Sequence, residues 1–341
     1  MKKLRELGIK VGHLEPGAFD AITDIDGVGV GHVDIGEADL NTGLSVVSPY
    51  PPAIKECALF VGRWSLDDGG AASGLGVAED FGTFSSPIAL APAPVFGRVY
   101  EAMIQQGIQR DSGLSTNAGW PPIVLGLDDG AWNDARRVYD SVREQHLDRA
   151  LAAAVGGAVA EGNVGIGRAL RAFGIRGGVG TASRLAGRYT VGIFVAVNGG
   201  VPASLYIDGQ SLQGEGMTEL SGPQEFVAVV ATDAPLVPLQ LRALAQRGAL
   251  GAARCRLWNA HTRTGQVVAF SSVESEKSTV NEVLRERPYV GKQALYTLFA
   301  AACEAMEAAV LSAMLSAQPL QVGERELGVL RAELVQKLKG N

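Results

Sequence analysis

Residues 225–247, EFVAVVATDAPLVPLQLRALAQR, decide how the chain folds. After Glu225 the run Phe226–Ala231 is apolar without interruption, which is the pattern of a strand buried on both faces. A corner at Thr232–Asp233 follows. Pro235 and Pro238 stand where a helix can begin, because the first turn does not need the N–H that proline lacks. Leu241, Leu244, Ala245, Ala249 and Ala252 then keep a helical period to about Arg254. Outward from this unit, YTVGIFVAVN (189–198) reads as a buried strand ending at Asn198, and GQVVAFSS (265–272) as another. Residues 294–315 form the strongest helix, with Leu295, Leu298, Phe299, Ala302, Met306, Val310 and Ala313 on one stripe. DAITDIDGVGVGHVDI (20–35), 42–62 and 69–90 suit strands joined by tight turns. Residues 94–109 carry helical spacing, 113–122 a loop, and 133–154 a helix or helix pair that opens on Asn133 and Asp134. Strands gathered around two long amphipathic helices predict an α+β fold of stacked layers, with no linker-like break along the chain.

Composition narrows the function. A length of 341 residues at 47% hydrophobic and 19% charged is ample for a core and excludes intrinsic disorder. Thirty basic against 36 acidic side chains, a net charge of -6, lack the excess that neutralising nucleic-acid phosphates requires. The 44 glycines follow no triplet period, so they signal turns and close approaches, not collagen. Cys57, Cys255 and Cys303 show no C-x-x-C spacing, which predicts neither a disulfide framework nor a zinc site and suits a reducing cytoplasm. Cys255 reads as a buried structural thiol. No signal peptide or membrane span is expected. His13, His32, His146 and His261 are scattered, without the H-x-x-x-H pairing common in metal sites, and no metal or organic cofactor is called for. Gly27, Gly29 and Gly31 invite a dinucleotide reading, but strand-like HVDIG follows where a helix should start. The glycine-dense stretch 156–184 could form an anion nest or merely a tight corner. Its GNVGIG (162–167) with Arg168 offers a phosphate reading, yet lacks the Walker lysine.

Five motifs in order, DAITDIDGVGVGH (20–32), AEGNVGIG (160–167), GGVGTASR (177–184), the strand end at Asn198 and VVATDAPLVPLQLRALAQR (229–247), together resemble the DmpA-type aminopeptidase family of D-aminopeptidases and β-aminopeptidases. That family is similar in fold to nylon-oligomer hydrolases and ornithine acetyltransferases. The resemblance spans about residues 16–315. It implies a four-layer αββα sandwich in one domain over 1–341, with peripheral tails. It further implies a precursor that cuts itself before a Ser or Thr at the start of a central strand, freeing that residue as nucleophile. A β-hydroxyl reaches the preceding carbonyl through a five-membered ring, and the new α-amine, with a pKa near 8, serves as its base.

On this resemblance the spacing to the ATDAP motif sets Glu225 at the nucleophile and Gln224 before it. A glutamate offers no β-hydroxyl, and attack by its carboxylate would need a larger ring and give a mixed anhydride. Self-cleavage by the family route is therefore expected to fail. Ser221, and less directly Thr218, are the alternative nucleophiles, although four extended residues displace Ser221 by roughly 13 Å where catalysis tolerates about 1 Å. Asn198 matches the asparagine that donates to the tetrahedral oxyanion in the family. Thr264 and Gln266 stand for a distal Ser-x-Glu or Asp-x-Asp pair that positions the nucleophile, and Gln266 cannot serve as a carboxylate base. Asp128 in LGLDDG replaces an aromatic residue, and Pro92 and Pro94 in APAPVFG replace a polar run. The expected function is a non-cleaving homologue with a binding, regulatory or assembly role. The alternative is an aminopeptidase or amidase acting on N-terminal amide bonds of short peptides or β-amino acyl compounds. The implied partners are a small peptide or amino-acid amide and further copies of the chain, as a tetramer or larger, with the apolar end of helix 294–315 as a contact. Ligand choice would come from loops 64–98 and 112–134.

Overall fold

The computed structural model describes residues 3–36, 39–49, 58–66, 70–110, 122–202, 204–212, 223–274, 289–322 and 325–339. Its strands, numbered along the chain, are β1 (Gly29–Ile35), β2 (Thr42–Ser48), β3 (Leu59–Ser65), β4 (Ala72–Ser73), β5 (Thr83–Phe84), β6 (Ile88–Pro92) and β7 (Ile123–Leu127). They continue with β8 (Arg171–Ala172), β9 (Ile175–Arg176), β10 (Gly178–Ala186), β11 (Tyr189–Asn198), β12 (Tyr206–Ile207), β13 (Gln210–Ser211), β14 (Glu225–Thr232) and β15 (Thr264–Glu274). The helices are α1 (Leu75–Phe81), α2 (Phe96–Arg110), α3 (Ala135–Ser141), α4 (Glu144–Ala152), α5 (Pro238–Arg254), α6 (Lys292–Leu315) and α7 (Ala332–Lys339). One sheet has the order β1-β2-β6-β7-β4 and the other β10-β11-β14-β15-β3-β5. The pairs β6/β7 and β14/β15 are parallel, joined through helices as parallel neighbours must be.

Residue alternation along each strand sorts the core into layers. Val227, Val229 and Ala231 of β14, Phe194 and Ala196 of β11, and Val268 and Phe270 of β15 meet Ile123, Leu125 and Leu127 of β7 between the two sheets. The odd-numbered and even-numbered neighbours on the opposite face, Phe226, Ala228, Val230, Ile193, Val195, Val267 and Ala269, pack under α5 and α6. Val124, Ala89 and Val46 of the other sheet face α2, α3 and α4. Helix, sheet, sheet, helix is the four-layer αββα sandwich.

The ATDAP corner is a tied structural turn. Thr232 Oγ1 donates to Thr190 O at 2.7 Å and accepts from Ala234 N at 3.2 Å, while Asp233 Oδ1 accepts from Thr190 N at 2.7 Å. The predicted helix pair appears as α3 and α4, with Asp134 capping α3 through Arg136 N and Arg137 N.

Two expectations need correction. The stripe of α6 packs into the core, but from Ala301 to Met314 nearly every other position is buried too, Glu304 and Glu307 included. Although long and apolar enough to cross a membrane, its most apolar window is 83% buried inside the chain, so its apolar end is not free to serve as a subunit contact. The reason is that β10, β11 and α5 pack against it, and the N-terminal segment at Gly12 and Leu14 covers Glu304. Leu4, Ile9 and Val11, and Leu330 and Val335, belong to the same core, so the ends are not peripheral at these residues.

The N-terminal segment is fastened by a buried acid. Glu304 Oε2 accepts from Leu14 N at 2.8 Å. Gly12 holds φ at +73°, and a Cβ there would fall 2.2 Å from the Glu304 carboxyl carbon. Gly12→Ala is expected to cost about 2 kcal/mol or more, from the left-handed backbone and the lost contact, seen as a lower urea midpoint at unchanged slope.

Candidate active site

The alternation that builds the inner core also fixes where the strand ends point. Asn198 follows Phe194 and Ala196, Glu225 precedes Val227, and Thr264 and Gln266 precede Val268 and Phe270, so all four face the space between the sheets. Register brings them together: Glu225 is paired with Asn198 on one side and with Thr264 on the other, and Val227 with Gln266. The end of β7 approaches from the facing sheet.

Glu225 Oε1 accepts two hydrogen bonds, from Asn198 Nδ2 at 2.7 Å and from Asp128 N at 2.5 Å. Asn198 is wholly buried; its amide also donates to Asp128 O at 2.7 Å, and its Oδ1 accepts from Arg171 N at 3.2 Å. Burial pushes the Glu225 pKa up to about 7; the Asp128 N–H and the Asn198 amide pull it down, and the charges of Asp128 and Asp129 push it further up. Asp129, 1% exposed, accepts through Oδ2 from Thr42 Oγ1 at 2.7 Å and Asn133 Nδ2 at 3.0 Å, and burial raises its pKa to about 6. Arg171 adds a half-buried cation whose pKa burial lowers and Asp128 raises.

The backbone carbonyl before Glu225, which the family resemblance sets at the cleavage position, is also held in place. Gln224 O accepts from Arg263 N at 2.7 Å and Thr264 N at 3.3 Å, and Gln224 Oε1 accepts from Gly200 N at 3.1 Å. Two N–H groups therefore polarise this carbonyl, but residue 225 brings a carboxylate that would have to close a seven-membered ring.

Thr264 and Gln266 are buried on the same inner face. Ser221 and Thr218 lie outside the described residues, as does most of the 113–122 loop. Pro92 closes β6, and Pro94 sits in the 3-10 turn Ala93–Val95 that opens α2. Sequence reasoning missed Arg171 and Asp129. The Asp-Asp-Gly that follows a fully buried strand was the available signal for Asp129; nothing local pointed to Arg171.

Other sequence candidates resolve as structure. GVGVGH runs directly into β1, with no helix to carry a dinucleotide. In GNVGIG, Gly165 N donates to Asp34 Oδ1 at 2.7 Å and Ile166 N to Ser45 Oγ at 3.1 Å, while Arg168 pairs with Asp34 at 3.1 Å. The chain's own carboxylate takes the place proposed for phosphate. Cys255 is buried, its Sγ 3.6 Å from Gly251 O, and burial drives its pKa up, so it is no thiolate nucleophile. His32 Nδ1 lies 2.8 Å from Ser45 Oγ, and burial lowers its pKa to about 4 against the opposing effect of Asp34.

Two stacked sheets sheathed by helices, with polar side chains gathered where β11 ends and β14 and β15 begin, are the arrangement of the N-terminal-nucleophile hydrolase fold of the aminopeptidase type. The structure of L-aminopeptidase D-Ala-esterase/amidase from Ochrobactrum anthropi, described as a variant of that fold, matches with a TM-score of 0.88 at 27% identity over 100% of this chain and 99% of that one. A Burkholderia sp. β-aminopeptidase matches with a TM-score of 0.89 at 31% identity over 98% of each chain. β-Peptidyl aminopeptidase BapA of Sphingosinicella microcystinivorans is 30% identical over 93% of this chain and 86% of its own length. Residues 20–326 match Peptidase family S58. The chain belongs to that family.

Proposed function

We propose that this protein is a member of family S58 that stays uncut at 224–225 and uses the strand-end site to hold a short peptide or amino-acid amide without hydrolysing it. The observation that carries this reading is the hydrogen bond from Asn198 Nδ2 to Glu225 Oε1. Both amide protons of Asn198 are committed, to Glu225 and to Asp128 O, so a developing oxyanion would have to displace a carboxylate to reach the donor. No electrostatic gain is then left for acyl transfer. An amine-bearing ligand suits the same place, because its ammonium group complements Glu225 and Asp128. Free thiols at Cys255 and Cys303 suit a cytoplasmic setting.

The test is direct. Denaturing electrophoresis and intact mass of the purified chain should show one species of 35.6 kDa. β-Alanyl and L-alanyl p-nitroanilide should release no p-nitroaniline above background. The names of the relatives favour a second reading, an active aminopeptidase with a displaced nucleophile. Two fragments meeting near residues 220–225, or turnover that Ser221→Ala abolishes while the fold is kept, would establish it and overturn the first.

A further inference from the structure

The strand-end site carries more acid than base. Among the described residues its charged groups are Glu225 of β14, Asp128 and Asp129 just past the end of β7, and Arg171 of β8, whose charge acts on Asp128. β11 and β15 add only the neutral Asn198, Thr264 and Gln266, and Arg263 before β15 is exposed. Three carboxylates thus share one half-buried cation. Glu225 is half-buried and Asp128 exposed, so a solute can reach this end of the strand. Like charges gathered where water is scarce favour the uptake of a cation, either a proton or an ammonium group.

The hydrogen bonds decide which oxygen carries a proton. Both N–H donors, Asn198 Nδ2 at 2.7 Å and Asp128 N at 2.5 Å, end on Glu225 Oε1. Among the described residues Oε2 accepts no hydrogen bond, and it is not sealed from solvent. In a carboxylic acid the carbonyl oxygen is the one that accepts N–H donors, so a proton on Glu225 belongs on Oε2. Burial first, then the charges of Asp128 and Asp129, raise the Glu225 pKa to about 7 against the pull of the two N–H donors. Below that pH the unliganded site holds the proton, and an ammonium group that takes its place must expel it.

Resting on the reading that this site holds an amine-bearing ligand, we propose that the ligand is exchanged for a proton, its ammonium group docking on Glu225 Oε2 as the proton there leaves to solvent. The ammonium and the Glu225 carboxylic acid become an ammonium–carboxylate pair, one H+ passes to water, and no bond of the ligand breaks. The site therefore loads near neutrality and empties on mild acidification. The experiment is calorimetric titration of the full chain with L-alaninamide in phosphate and in bis-Tris, whose different ionisation heats count the protons released. The alaninamide amine stays charged below pH 7. About 0.9 proton per ligand should be released at pH 6, and affinity should rise about 50-fold from pH 5 to pH 7. In the infrared, alaninamide should remove a protonated-carboxyl stretch at pH 6, and Glu225→Gln should show neither that loss nor proton release. Should Glu225→Gln fail to fold, the proton count and the infrared difference on the unaltered chain decide. Binding with fewer than about 0.3 protons released at pH 6, or with equal affinity at pH 5 and 7, would overturn the exchange and leave the bound-ligand reading standing. Proton release that persists in Glu225→Gln would overturn it as well. No saturable binding between pH 5 and 7 would remove that reading, and the exchange with it.

Discussion

Glu225→Gln is expected to stabilise the folded chain by about 3 kcal/mol at pH 8 and by almost nothing at pH 4. Burial lifts the Glu225 pKa from an ordinary 4.5 to about 7. The native state therefore keeps a proton that the unfolded chain has already released, and stability falls as pH rises from 4.5 to 7. Below 4.5 both states are protonated and the cost vanishes; above 7 both are ionised and it is constant. Glutamine retains an oxygen to accept from Asn198 Nδ2 and Asp128 N but never has to carry charge into the buried strand end. Urea denaturation of both proteins at pH 4, 6 and 8 should give curves that converge at low pH. A pH-independent difference would show that residue 225 is not a buried ionising group, and the account of the site would fall with it.

The second large effect concerns the scaffold. Gly180 lies in β10 where α6 crosses it, and a Cβ there would stand 2.1 Å from Ala309 O and 2.6 Å from Ala313 N. These are backbone atoms of a buried helix and cannot step aside as a flexible side chain does. Gly180→Ala is expected to cost about 3 kcal/mol or more, because relief requires lifting α6 off the sheet. Gly97, near the start of α2, has nothing within 4 Å of its Cβ position, so Gly97→Ala should be neutral or stabilising by up to about 1 kcal/mol. Similar urea midpoints for the two variants would refute the close-approach reading.

Much of the fold was legible from periodicity. The strands 189–198, 225–232 and 265–272, and the helices after Pro238 and in 294–315, were readable because each buries a face or a run long enough to fix its own pattern. α6 was the exception. Its stripe was real, but enclosure on all sides depends on what packs around a helix, and Glu304 and Glu307 at its buried positions are intelligible only beside Leu14 N and Asp208 N. The glycine-dense stretch left an anion nest or a tight corner open for a related reason. Whether the Gly165 and Ile166 N–H groups wait for a ligand or meet Asp34 and Ser45, more than 100 residues earlier, is not a local property.

The candidate site divides in the same way. Sequence alone determined that residue 225 carries no β-hydroxyl, since side-chain chemistry is covalent and no fold can change it. It also set the alternation that turns Asn198, Glu225, Thr264 and Gln266 to one face. Tertiary structure alone decided what that carboxylate does there. Strand register laid it against the Asn198 amide, the facing sheet brought the Asp128 N–H and the charges of Asp128 and Asp129, and burial raised its pKa, because hydrogen bonding, Coulomb interaction and desolvation all depend on distances through space that separation along the chain does not encode.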